Sequence, residues 1–404
     1  MARRNLSRLG PFFVAFLSAD IAGQVQGIAV AWHVFTLHHR PFDLGLVGLA
    51  LFLPAALLVL VTGLVADRYN RRTIVVAATL AELTGALIFL GLVLSHVDRL
   101  WPYLATLLAI GTASAFGTPA ERGMLLALVP RTDYLRISAA YSVISEIVSI
   151  GGPALGGVLV AVGTPVAFGT SALLIAVSVS GLAVLQLPAR VAGAGEDRAT
   201  LHDALGGLRF IRAQPVILAA ISLDMFAVLF GGATALLPAY ADTILHVGPV
   251  GLGLLRSAPG AGAAAAAAYL ARRPPRSKAG RTLLIVVAVF GLATILFGIS
   301  RSFGLSLAAL AIAGAADMVS VVIREGIVQL GTPDAMRGRV NAVENVFIGA
   351  SNELGAFESG SLAALVGIVP AVVAGGAATL AVVAVCVVVF PQLRRFDRFA
   401  RAPA

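Results

Sequence analysis

The chain has 404 residues, of which 59% are hydrophobic and only 12% charged, with a formal net charge of +9. A soluble domain carries about 25% charged residues to wet its surface, so halving that share over such a length excludes a water-soluble globular protein. No basic domain carries the positive balance, which excludes nucleic acid as a partner and leaves an anionic lipid leaflet as its counterpart.

Long apolar stretches recur between short charged interruptions, each near the ~20 residues that cross a bilayer core. The predicted spans are 11–37, 43–66, 73–95, 101–128, 137–162 and 165–187, then 216–241, 249–271, 281–300, 303–329, 339–367 and 369–391. The first span contains Asp20, Gln24 and Gln26, poor material for a signal-peptide core, so it reads as a retained helix. Between the two groups of six, residues 188–214 form a linker. Within it, Leu201, Leu205 and Leu208 recur at helical spacing, with His202, Asp203, Arg209 and Arg212 elsewhere around the turn. That pattern predicts an amphipathic helix on the cytoplasmic membrane surface, with an ordinary connector as the alternative. The chain thus divides into an N-terminal six-helix bundle (1–187), a cytoplasmic linker (188–214) and a C-terminal six-helix bundle with a short basic tail (215–404). The lone Cys386 allows no intramolecular disulfide.

Placing both termini in the cytoplasm puts 23 of the 29 Lys and Arg on that side. Arg40, Arg99 and Arg301 fall on the other face, and Arg122, Arg256 and Arg324 lie within helices. This is the positive-inside bias of a multi-pass protein, here expected in a bacterial-type inner membrane.

The halves are related by a nearly constant offset. Val47-Gly48-Leu49 recurs as Val250-Gly251-Leu252, Gly152 and Gly157 recur as Gly355 and Gly360, and Asp20 and Gly27 recur as Asp224 and Gly231. A parallel repeat of six helices is a transporter architecture, with the substrate site between its halves.

Two motifs sharpen the reading. Gly63-Leu64-Val65-Ala66-Asp67-Arg68-Tyr69-Asn70-Arg71-Arg72, between spans 2 and 3, resembles the G-x-x-x-D-R/K-x-G-R-R/K loop of the major facilitator superfamily. Asn70 replaces the usual Gly, and a left-handed Asn is expected to preserve the turn. Gly152-Pro153-Ala154-Leu155-Gly156-Gly157 in span 5 is similar to the G-P-x-x-G-G motif of that superfamily's antiporters, with Val148 where an upstream Gly is expected. Leu223 to Gly232, Gly338-Arg339-Val340 and Asn352 to Gly360 resemble the branch holding the enterobactin exporter and related efflux proteins. The resemblance implies an all-α major facilitator fold of twelve helices in two pseudo-symmetric bundles, working by alternating access. It also implies proton-coupled efflux of a siderophore- or drug-like small molecule by a monomer, and a cavity lined by helices 1, 4, 7 and 10. By the same resemblance Asp67, amid Arg68, Arg71 and Arg72, caps the start of helix 11 near Asn341 and closes the cytoplasmic side. A lysophospholipid or metabolite carrier of the same fold is the alternative.

Charged groups at mid-helix cost at least ~2.5–3.5 kcal/mol on insertion scales, so those inside spans face protein or a wet cavity. The proton-coupling and cavity candidates are Asp20, Asp224, Glu344, Glu353, Glu358, Asn345, Arg256 and Asp317. Asp20 leads: no basic residue lies within a turn of it or of Asp224, and Gln24 and Gln26 make its helix wetter. Glu121–Arg122 and Arg324–Glu325 read as internal salt bridges, and Glu82 as structural. No metal-ligand spacing and no G-x-x-x-x-G-K-S/T loop occurs, so no catalytic residue, metal, cofactor or ATPase subunit is expected. A proton gradient supplies the energy, since desolvated carboxyls are natural proton carriers. A transport-dead sensor or an intramembrane enzyme would move nothing under any gradient.

Overall fold

The computed structural model describes residues 2–128, 133–185, 201–273 and 278–396; the start of the linker and the basic tail lie outside them. Every regular element among the described residues is helical. The first half runs α1 (Ala2–His38), α2 (Pro41–Arg68), α3 (Arg71–Leu94), α4 (Leu100–Leu128), α5 (Tyr134–Val162) and α6 (Thr164–Val184). The linker holds α7 (Leu201–Ala213). The second half begins with α8 (Pro215–Gly231), followed by a 3-10 turn (Ala233–Leu236), the single turn α9 (Leu237–Ala239) and a π turn (Tyr240–Ile244). It continues with α10 (Gly248–Arg272), α11 (Ala279–Ile299), α12 (Phe303–Gly331), α13 (Asp334–Val366), α14 (Ile368–Val389) and the short α15 (Pro391–Arg395).

Ten helices among the described residues are long and apolar enough to cross a membrane. The eighth and eleventh predicted spans correspond to α10 and α13, which are equally long but less apolar. Gly and Ala dominate α10, and α13 carries Asp334, Arg337, Arg339, Glu344, Glu353 and Glu358. Large apolar side chains point outward along the helices, such as Leu365 at 84% exposure and Val388 at 79%, as lipid-facing surfaces require.

The first span, predicted as 11–37, corresponds to Gly10–His38 of a helix that begins at Ala2. Two expectations need correction. The seventh span is broken: α8 ends at Gly231, and the 3-10 and π turns follow, with Pro238 unable to donate the bond a continuous helix needs. Asn70 is not left-handed. Its backbone is extended (φ −65°, ψ 118°) and its Oδ1 accepts from Arg72 N at 3.0 Å, so it N-caps α3.

Backbone contacts divide the chain into two compact units, Met1–Ala192 with Pro238–Ser257, and Gly193–Leu237 with Ala258–Ala404. In unit 1, α1 packs on α5 and α6, and α3 packs on α4 and α6. In unit 2, α8 packs on α13 and α14, and α11 packs on α12 and α14. The helix pairing of the first half therefore recurs in the second, as a parallel repeat requires.

Small residues permit these crossings. A Cβ on Gly152 would fall 2.6 Å from Gln24 Cβ, and one on Gly355 would fall 2.7 Å from Leu229 O and 3.1 Å from Val228 O. Gln24 stands four residues after Asp20 and Val228 four after Asp224, so the repeat-related glycines receive the same turn of the same helix in each unit. Unit 1 has a core of Phe12, Phe16, Ile74, Met124 and Leu182. That of unit 2 extends through Leu223, Leu283, Ile323 and Val343 to Ile211 of α7. The linker helix is thus docked on its unit, with Gly207 against the backbone of Arg339 at the start of α13.

Candidate functional site

Each unit places a polar cluster inside its helices. In unit 1 the α5 face carrying Tyr141 and Ser145, one turn apart, meets α1 and α4. Ser145 Oγ donates to Asp20 Oδ2 at 3.0 Å, and Tyr141 Oη donates to Glu121 Oε1 at 3.2 Å. Asp20, Glu121, Tyr141 and Ser145 are all partly buried. Asp20 thus meets a hydroxyl, and Tyr141 lies in the field of both Asp20 and Glu121. Beyond it, Ser171 Oγ bridges Ala22 O (3.1 Å) and Gln26 Oε1 (3.2 Å), which ties α6 to the polar stretch of α1.

In unit 2 a cation sits at the centre. Arg324 of α12 is 3% exposed and forms ion pairs with Glu344 of α13 through Nη1 and with Asp224 of α8 through Nε at 3.3 Å. Asp224 and Glu344 are themselves buried. Arg324 therefore reaches across to Asp224, and the expected pairing with its neighbour Glu325 is replaced by bonds to two other helices. Glu325 is exposed. At a shared offset of 203, Glu121 maps onto Arg324 and Tyr141 onto Glu344, so the two clusters occupy repeat-equivalent positions with different charge.

A family model described as transmembrane secretion effector matches residues 9–404. The chain belongs to this family of major facilitator transporters. The enterobactin exporter EntS of Escherichia coli is 27% identical over 393 residues, covering 95% of this chain and 92% of the relative. The same values hold for EntS of Escherichia fergusonii. Among solved structures, a bacterial homologue of the human lysosomal transporter Spinster matches with TM-score 0.72 at 15% identity, over 97% of this chain and 96% of that one. A bacterial homologue of the iron transporter ferroportin matches with TM-score 0.71 at 15% identity, over 96% and 99%. At such identities these structures share the fold alone. The transporter family leaves no enzymatic activity to account for.

Within this family member the predicted site residues separate into groups. Asp224, Glu344 and Asp317 gather around Arg324 in unit 2, while Asp20 stands in unit 1. Glu358 is partly buried and accepts from Ser359 Oγ at 3.5 Å, Glu353 is partly buried, and Asn345 and Arg256 are exposed. Glu82 accepts from Ser114 Oγ at 3.0 Å, tying α3 to α4.

The loop motif shows a clear role for one arginine. Arg72 donates from Nε to Leu182 O at 3.1 Å and from Nη2 to Ala183 O at 2.5 Å, binding the open carbonyls at the end of α6. Arg71 is partly buried. The side chains of Asp67 and Arg68, together with Gly63 and the side chain of Arg122, lie outside the described residues. In the second motif Gly152 and Gly156 face α1, and a Cβ on Gly156 would fall 3.1 Å from Val25 Cα. Gly157 faces α10 instead: its Cβ would be 2.5 Å from Pro249 O, and Gly253 in turn lies against Pro153 O.

Sequence reasoning missed Ser145, Tyr141 and Ser320. The spacing of Tyr141, Ser145, Gly152 and Gly156 along one face of α5 was the available signal.

Proposed function

We propose that this chain is a secondary active exporter that works by alternating access and moves a siderophore- or drug-like small molecule out of the cytoplasm. In this reading an inward flow of protons drives it, across a bacterial inner membrane with both termini in the cytoplasm. The observation that carries the proposal is the likeness to the enterobactin exporter along the whole chain, both halves included. The unit 1 cluster supports proton coupling. Asp20 is a half-buried carboxyl hydrogen-bonded by a neutral hydroxyl, which can donate to a carboxylate or accept from a carboxylic acid. Among the described residues no guanidinium pairs with Asp20 to fix one protonation state. The sequence holds no nucleotide-binding loop, so an ion gradient is the available energy source.

Two measurements test this. A strain lacking the gene should retain inside the cell, and fail to secrete, a compound that its parent exports, or become more sensitive to a drug. Unchanged secretion and susceptibility would count against export. If the difference is instead an altered lipid or a shared metabolite, the carrier alternative gains the case.

A further inference from the structure

Among the described residues of unit 2, buried Asp224 and Glu344 and partly buried Asp317 outnumber the one buried cation, Arg324. Asp224 on α8, Asp317 on α12 and Glu344 on α13 are three carboxyls gathered around one guanidinium, that of Arg324. Glu344 takes Arg324 Nη1. Asp224 has only the 3.3 Å approach of Nε, which is not aligned as a hydrogen bond. Asp317 lies in the field of both Asp224 and Arg324, and no described side chain donates to it.

Asp317 and Asp224 share a small cavity of about 10 Å³, otherwise walled by Ala227, Val228, Val287, Phe290 and Ala316. Ser320, less than a turn from Asp317, also lines it. Ser320 is 3% exposed and its Oγ has no hydrogen-bond partner among the described residues. Such a cavity is near the size that one water needs, and a water there would have polar partners in Asp224, Asp317 and Ser320. Among the described residues, Arg324 is the one cation whose charge acts on Asp224, Asp317 and Glu344. Glu344 also lies in the field of the exposed Glu325, and α14 contributes the buried thiol of Cys386.

One guanidinium balances one carboxylate. Two further anions against apolar walls are unfavourable, since a buried charge must be paired or neutralised. We infer that Asp317 and Asp224 form a proton-binding site within unit 2: the two carboxyls share one proton, which cuts the excess to a single negative charge, and a single water bridges them to Ser320 Oγ. Arg324 and Glu344 form the fixed ion pair beside it. On the antiport reading this site adds a second protonation to that of Asp20. It does not depend on the cargo, and its test uses none, so failure of the export reading leaves it standing.

The test is infrared difference spectroscopy of the full chain in lipid nanodiscs, titrated from acid to alkaline pH. Wild type should show a neutral-carboxyl band at neutral pH that is lost on alkaline titration. Asp317→Asn should lose part of that band, and Ser320→Ala should shift it. An Asp317→Asn spectrum that keeps the whole band overturns the site, and so does binding of sodium by wild type in place of the band. If Asp317→Asn folds poorly, Ser320→Ala decides alone: an unshifted band overturns the water-bridged proton.

Discussion

Arg324 occupies in the second half the position that Glu121 occupies in the first. Each also meets the residue that its offset predicts: Glu121 receives Tyr141, and Arg324 binds Glu344, 203 residues further on in both cases. One helix-crossing scaffold thus carries two chemistries. Unit 1 presents carboxyls bonded to hydroxyls, and unit 2 presents carboxyls held by a cation.

Removing that cation should be costly. Arg324→Gln leaves Asp224 and Glu344 buried without a counter-charge, and breaking such a pair costs roughly 3–5 kcal/mol. Thermal unfolding in detergent should show a large loss of stability, partly recovered in Arg324→Gln with Glu344→Gln. A single variant that melts with wild type would mean the ion pairs contribute nothing.

The glycines at helix crossings should divide sharply. A Cβ on Gly262 would fall 1.8 Å from Ala311 O, and one on Gly314 would fall 2.0 Å from Pro259 O. Alanine at either forces backbones apart, with overpacking typically about 1–3 kcal/mol. Gly151 and Gly349 have nothing within 4 Å, so alanine there should be neutral or stabilise by up to ~1 kcal/mol. Melting temperatures of the four variants check the division.

Arg72→Ala should release the carbonyls of Leu182 and Ala183 at the end of α6. Charged hydrogen bonds contribute roughly 1.5–3 kcal/mol each, less where solvent competes. Arg72→Lys should recover only part of the loss, because an ammonium cannot reproduce a planar fork. Equal stability of the Lys variant and wild type would show that charge alone matters there.

Much of this architecture is legible in the sequence. Apolar length gave the helices, and the offset of 203–204 joined Asp20 to Asp224 and Gly152 to Gly355, which the matched crossings at Gln24 and Val228 bear out. The cross-helix partners were not readable. Arg324 and Glu325 are neighbours in sequence, but successive residues on a helix point about 100° apart, so they cannot face one another. Only packing of α8 and α13 against α12 turns Arg324 toward Asp224 and Glu344. Asn70 misled for a related reason: its side chain can serve a cap as well as a left-handed turn, and motif position alone does not choose between them.

Ser145→Ala removes the hydroxyl that donates to Asp20 at 3.0 Å. It should change the pH at which transport is half-maximal while leaving the protein folded, because the hydroxyl can bond either form of Asp20 but bonds the carboxylate more strongly than the carboxylic acid. Identical pH profiles for Ser145→Ala and wild type would separate Asp20 from the proton pathway.

Flux in proteoliposomes tests proton-coupled export most directly. Enterobactin and, as a drug-like probe, ethidium would be followed with and without an imposed pH gradient, in wild type and in Asp20→Asn. Proton antiport predicts that the gradient accelerates wild-type movement of at least one probe. It also predicts that Asp20→Asn, still folded and still binding that probe, shows no acceleration. Wild-type flux indifferent to the gradient, or an Asp20→Asn variant that responds as wild type does, would contradict it.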